Sequence, residues 1–324
     1  MFMKNRSLFA SLLLAATACT GALAQTYPDK PINVIVPFNP GGTSDTVMRA
    51  IAGKMAEALG QQVVVDNKAG AGGGIGATLV ARAAPDGYTL LIAPIGTFAI
   101  APYINKSMKY EPRRDFDLLT IPVRTPNVLV ASPGFPANSF KELIAYMKAN
   151  PGKVSFANSG TGTTDHLSAA LVWKRTGTTG IHVAYKGAGP ALTDLMAGHV
   201  NVLITNFGNV SSHIKAGKIK PLAVTAQQRI PELPQVPTFT ENGIDDFVIY
   251  GWQGIAGPKG MPPAVNAKLH SAIVGALKDP DVTRQLESLG FQVHGSTSQE
   301  FARELDRETV RWKSIIEAEG IVVE

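Results

Sequence analysis

Two short stretches carry residues whose types and spacing suit the capture of an anion. PFNPGGTSD, residues 37–45, follows the apolar run 32–36 and precedes apolar positions at Val47, Met48, Ile51, Met55 and Leu59, so it lies at a strand-to-helix turn. The first N–H groups of a helix lack intrahelical partners and together carry about half a positive charge. A turn without side chains, here Gly41-Gly42, lets an anion reach them. Thr43 is the expected N-cap, and Ser44 adds a hydroxyl. ANSGTGTTD, residues 157–165, repeats the device after a strand-like stretch and before a helical pattern at Leu167, Ala170, Leu171 and Lys174. The tetrads Gly42-Thr43-Ser44-Asp45 and Gly162-Thr163-Thr164-Asp165 differ at one letter. They predict two helix N-termini, one per lobe, facing each other across a cleft around a carboxylate-bearing small molecule. Chance likeness between two helix starts rich in Gly and Thr is the competing account.

Three chemistries compete for the acids in these turns. Asp45 and Asp165 could form an acid/base pair across the cleft. They could instead complement helix dipoles. They could also select ligands that carry an amide, ammonium or hydroxyl donor beside the carboxylate. His166 follows the second turn directly and faces either the cleft or solvent. The other five histidines show no metal-ligand spacing, and HExxH, CxxC, GxSxG and GxxxxGK are all absent. Neither a catalytic residue nor a metal or other cofactor is expected. The glycine-rich run 70–76 nominally fits a dinucleotide fingerprint at Gly72, Gly74 and Ala77. The acid that a ribose needs at the end of the next strand is missing, since that region reads Ala93-Pro94-Ile95-Gly96-Thr97. The run is expected to serve close backbone packing and part of a cleft wall.

The elements that must position these turns alternate. Strand-like and helical patterns succeed one another over 27–120 and again over 128–226, which predicts an α/β fold of right-handed βαβ units with mainly parallel sheet. Ligands in such sheets sit beyond the carboxyl ends of the strands, where both turns fall. Asn206 ends one of these strands and is expected to line the same cleft. A proline-stiffened connection follows over 227–237, then a strand over 247–256 and helices over 263–277, 280–289 and 298–318. The last helix is expected to bury Phe301, Leu305, Val310, Trp312 and Ile315.

The chain has 324 residues, 45% hydrophobic and 17% charged, enough for two globular domains. Residues 1–24 read as a cleaved export leader. Lys4 and Arg6 form a basic start, 8–18 is apolar, and Ala22-Leu23-Ala24 is a cleavage signal. Cys19, the one cysteine, lies inside the leader. A lipidation box there lacks the usual Leu three places earlier, so the lipoprotein reading ranks second. Removing the leader takes two of the 30 basic residues and leaves a net charge of +3 against 25 acidic ones. That balance gives no footprint for nucleic acid. A mature chain without cysteine has no disulfide and no thiolate chemistry.

The stretches YPDKPINVIVPFNPGGTSD, VVVDNKAGAGGGIGA, PDGYTLL, ANSGTGTTDHL, HVAYKGAGPALTDLMAGHV, AGKIKPLAVTA, RIPELPQVPTFTENGI and GWQGIAGPKGMPP, in this order, resemble the periplasmic receptors of tripartite tricarboxylate transporters, the Bug family. The resemblance spans essentially the whole mature length. It implies a type II periplasmic binding fold with two lobes joined by crossing hinge strands, over 25–122 and 123–227, with 228–324 returning to the first lobe. It further implies a carboxylate held at Phe38, Gly41, Gly42, Thr43, Asp45, Ser159, Gly160 and Thr163. The glycine-rich run, the loop at Gly96, and Tyr185 and Gly187 form the remaining wall. Two positions depart from the family pattern. Ala184 stands where Pro is usual, and Asp165 is acidic where no acid is expected, which would disfavour a second ligand carboxylate nearby.

The reading is therefore a monomeric periplasmic receptor that closes on a small organic acid and passes it to membrane permease subunits. A sensory partner of a signalling kinase, or a secreted enzyme using Asp45 and Asp165, are the alternatives. Dicarboxylates, tricarboxylates, aromatic acids and amide-bearing acids all remain as ligands.

Overall fold

The computed structural model describes residues 27–105 and 108–319. The leader expected over 1–24, with Cys19, lies outside the described residues.

The first half is built as the alternation predicts. β1 (Ile32–Val36) is followed by α1 (Thr43–Leu59), β2 (Val63–Asn67), α2 (Gly74–Ala81) and β3 (Thr89–Pro94). β1 lies between β2 and β3, parallel to both. Val47, Met48, Ile51, Met55 and Leu59 are all buried, so the apolar stripe of α1 covers the sheet. The helix stops at Gly60, whose φ of +71° a side chain would resist. β4 (Phe116–Thr120) ends this half.

β5 (Val123–Ala131) then crosses into the second half, which repeats the pattern: α3 (Phe140–Ala149), β6 (Ser155–Asn158), α4 (Thr164–Thr176), β7 (Ile181–Ala184), α5 (Ala188–Ala197), β8 (Val202–Asn206), α6 (Phe207–Lys215) and β9 (Lys220–Val224). β6 is parallel to β7 and to β8, while β8 and β9 run antiparallel to β5.

The proline-rich connection does not yet return to the first half. Ile230, Leu233 and Val236 join Val128, Val130, Leu195 and Leu203 in the second half's core. The Ile249 N–H donates to Thr225 O, and Thr225 Oγ1 donates to Ile249 O, so the chain stays tied to the end of β9 up to that point. The return comes with β10 (Tyr250–Pro258), later than the expected 228, and the strand starts three residues after its expected position. β10 pairs antiparallel with β5 through Tyr250, Gly251 and Trp252, then with β3 and β4. One sheet results, in the order β2-β1-β3-β10-β5-β8-β6-β7. Parallel strands fill each lobe, and the antiparallel pair β5 and β10 joins them.

α7 (Pro263–Leu277), α8 (Pro280–Ser288), the short β11 (Gln292–Val293) and α9 (Ser298–Glu319) close the chain on the first half. Phe301, Leu305 and Trp312 of α9 are buried. Val310, expected beside them, is 69% exposed. At about 100° per residue it lies roughly half a turn round the helix from Phe301.

Candidate functional site

At the first turn the chain leaves β1 and enters α1 with Gly42, not Thr43, as N-cap. Gly42 has no side chain to cap the helix, and the N–H groups of Thr43, Ser44 and Asp45 take no partner from the described residues. Thr43 is free to reach across the cleft, where its Oγ1 lies 3.0 Å from Asn206 Oδ1 and 2.7 Å from Asn209 Oδ1. Its single hydroxyl hydrogen serves one of them at a time. Ser44 Oγ donates to Gln253 Oε1 at 2.6 Å.

Asp45 folds this loop. Its carboxylate accepts from the Gly41 N–H at 3.1 Å, from Arg49 Nε at 3.0 Å and from Asn67 Nδ2 at 3.1 Å. Burial by itself would raise its pKa. The hydrogen bonds from Arg49, Gly41 and Asn67, together with the Arg49 charge, outweigh burial and hold it below the usual carboxylate value. A carboxylate so engaged is a poor proton acceptor for an acid/base pair.

At the second turn Thr163 is the N-cap of α4, again without a side-chain cap, and the N–H groups of Thr164, Asp165 and His166 have no partner among the described residues. Thr163 Oγ1 donates instead to Gly160 O at 2.6 Å. Asp165 Oδ2 accepts from the Ser159 N–H at 2.7 Å and from Ser159 Oγ. His166 does not face the cleft. It is 7% exposed, its Nδ1 accepts from the Gly162 N–H at 3.1 Å, and its ring lies 4.2 Å from that of His182. Burial lowers its pKa despite the neighbouring Asp165.

The two turns open onto one cleft with two chambers. The first, about 540 Å³ of space partly open to solvent, is lined by Phe38, Gly42, Thr43, Asp45, Gly96, Ser159, Thr163 and Asn206 among the predicted residues. Gly160 and Tyr185 line the second chamber, and Phe38 and Ser159 border both. The Tyr185 hydroxyl is committed to Asp194 Oδ2 at 2.6 Å. Gly41 and Gly187 line neither chamber. Gly41 gives its N–H to Asp45, and Gly187 packs on the other lobe, where a Cβ would lie 3.3 Å from Asn39 N.

The lobes are in contact. The Asn39 N–H donates to Lys186 O at 2.9 Å, and a Cβ on Gly189 would come within 2.6 Å of Pro40 O. The glycine-rich run serves the same contact, since a Cβ on Gly72 would stand 2.6 Å from Thr161 O. Gly70 to Gly73 also line the second chamber, as expected of a wall.

The sequence reading missed Asn127, Thr205, Asn209 and Gln253, which line the first chamber. Asn127 and Gln253 sit in the crossing strands and are each 1% exposed. Their signal was there to use: a polar residue inside an otherwise apolar strand needs a partner. Among the described residues no cationic side chain lines the first chamber, and no group of His, Cys, Asp and Glu could hold a metal. No described helix is long and apolar enough to cross a membrane.

Residues 47–321 match the model of the tripartite tricarboxylate transporter family receptor. Among solved structures, the periplasmic binding protein BugD is 36% identical with a TM-score of 0.88, covering 92% of this chain and 100% of its own. A protein from R. palustris solved with adipate is 33% identical with a TM-score of 0.87, over 91% and 99% of the two chains. MatC from Rhodopseudomonas palustris, with bound malate, is 33% identical with a TM-score of 0.86, over 90% and 100%.

Proposed function

The chain belongs to the tripartite tricarboxylate transporter receptor family, whose members are periplasmic solute-binding receptors, and on that premise we propose that it captures a small carboxylate by closing its two lobes and delivers it to a membrane permease. One observation carries the reading: two helix N-termini without side-chain caps, contributed by separate lobes, open onto the same cleft. The carboxylate takes the free N–H groups at Thr43 and Ser44 and at Thr164, each helix start contributing about 0.3–2 kcal/mol. Phe38 and Gly96 wall it, and Ser159, Thr163 and Asn206 offer polar atoms around it. The relatives solved with adipate and malate support a carboxylate as ligand.

The hinge lies where β5 meets β10, at the pairs of Tyr250 with Pro126, Gly251 with Thr125 and Trp252 with Arg124. The first lobe then comprises 27–122 and the chain from 250 onward, and the second 123–249. A ligand that bridges both helix starts does so only in the closed form, so its binding energy shifts the open–closed equilibrium. The mature protein starts after Ala24 and acts as a monomer.

A panel of small carboxylates in a thermal-shift assay tests the reading. A ligand at about 100 times its Kd stabilises the fold by about 2.7 kcal/mol, and the compound is recovered unchanged. Turnover of the compound, or a panel in which no carboxylate raises the Tm, would overturn it.

A further inference from the structure

We propose that the ligand of this cleft is a zwitterion: a carboxylate that also carries an ammonium group, the ammonium resting on Asp165. The proposal rests on the receptor reading and names the ligand class of the same site.

Asp165 is 6% exposed and lines the first chamber. Its Oδ2 is used by Ser159, but its Oδ1 has no partner among the described residues, and no Lys, Arg or His forms an ion pair with it. Asp45, at the equivalent place in the first turn, has both oxygens occupied and a guanidinium 3.0 Å away. A buried carboxylate without a counter-ion is costly, and the two helix starts together supply only about one positive charge. That charge is also what the ligand's carboxylate needs. A guest that brings an ammonium of its own balances the chamber, with its carboxylate on the backbone N–H groups and its cation on Asp165 Oδ1.

Among the described residues, the rest of the chamber lining is uncharged except for Asp45, whose carboxylate is paired with Arg49. Asn206 Nδ2 donates to Asn127 Oδ1, Asn209 Nδ2 donates to Thr205 Oγ1 at 2.9 Å, and Gln253 accepts from Ser44. These amides and hydroxyls suit a neutral polar remainder, such as a carboxamide or a hydroxyl. They give a second carboxylate no cation and place it near Asp165. A dicarboxylate of the kind seen in the relatives is therefore the wrong guest.

Titration calorimetry on the full mature chain, unfolded in denaturant to release any carried ligand and then refolded, tests the assignment. The probes are L-asparagine, L-glutamine, L-serine and L-threonine, each beside its analogue without the amino group, together with malate and glutarate. At least one amino acid is expected to bind about 100-fold more tightly than its deamino analogue, the loss typical of an unpaired buried charge. Asp165→Asn, which keeps an oxygen for Ser159, should narrow that gap to less than about tenfold. A dicarboxylate or deamino acid that binds as tightly as every amino acid overturns the zwitterion while the receptor reading stands. Failure of every probe, and of the wider carboxylate panel, overturns both. The comparison within the unaltered protein decides the matter even if the Asp165 variant does not fold.

Discussion

The helix starts at Gly42 and Thr163 share three letters of a tetrad, an uncapped N-terminus and an acid in the first turn, yet their acids do different work. Asp45 is closed off: Gly41, Arg49 and Asn67 take up its oxygens and fix the loop. Asp165 holds its loop through Ser159 and keeps one oxygen without a partner among the described residues, in a chamber that none of their cationic side chains lines. The residue after each acid differs too. Both residues continue their helices, but the His166 ring turns back to accept the Gly162 N–H. Nearly identical letters thus produced one sealed joint and one open contact. The difference comes from what other elements bring to each acid: Arg49 one turn along α1 and Asn67 at the end of β2, against nothing comparable near α4.

The largest expected effect tests whether the two starts hold one guest. Gly42→Asp adds a charge where a Cβ meets nothing nearer than 4.0 Å, so the fold should survive. Carboxylate affinity, measured by calorimetry, should fall by at least about 100-fold, because like charges about 4 Å apart repel by several kcal/mol even at an effective dielectric of about 20. Thr163→Asp should do the same from the other lobe. If one of the pair leaves affinity unchanged, the carboxylate sits on a single helix start.

Closure itself is tested next. Gly72 has a φ of +60°, and a Cβ there would stand 2.6 Å from Thr161 O. Gly72→Ala should weaken ligand binding by about tenfold or more, given strain of about 1–3 kcal/mol. Small-angle scattering should find less compaction on adding ligand than in the unaltered protein.

The two acids should then separate in stability. Asp45→Asn should cost about 1.5–3 kcal/mol in urea unfolding, the range for hydrogen bonds to charged groups, and Asp165→Asn less than about 1 kcal/mol, since an amide oxygen still accepts from Ser159 and the unpaired buried charge is relieved. Because Asp45 is held below its unfolded pKa, its contribution is present above about pH 4 and is lost as pH falls through the lower folded value. Asp45→Asn should remove that part of the acid sensitivity.

The smallest effect concerns the histidines behind the second turn. Burial first, and His166 second, push His182 down to about 4. An unfolded histidine titrates near 6.5, so between there and about pH 4 the unfolded chain binds more protons and stability should decline as pH falls. A Tm series across this window should be shallower for His182→Phe than for the unaltered protein.

Much of this was legible in the residues. Period-2 and period-3.6 apolar patterns gave the βαβ order, and Gly and Thr marked two strand-to-helix turns that line the first chamber. Phe38, Gly42, Thr43, Asp45, Ser159 and Thr163 therefore came from local chemistry and family resemblance, and all six line the first chamber. His166 did not, because its orientation depends on a ring from β7 that no local pattern announces. Val310 was misplaced by mixed spacing, which the helix geometry resolves.

The sequence alone determined which backbone segments present free N–H groups, because a helix start leaves them unpaired wherever the strand-turn-helix pattern occurs. Only the tertiary structure decided which acid is neutralised, when the chain leaves the second lobe, and that Asn127 and Gln253 line the chamber. Those outcomes depend on partners from distant strands and helices, whose meeting is set by packing across the whole sheet.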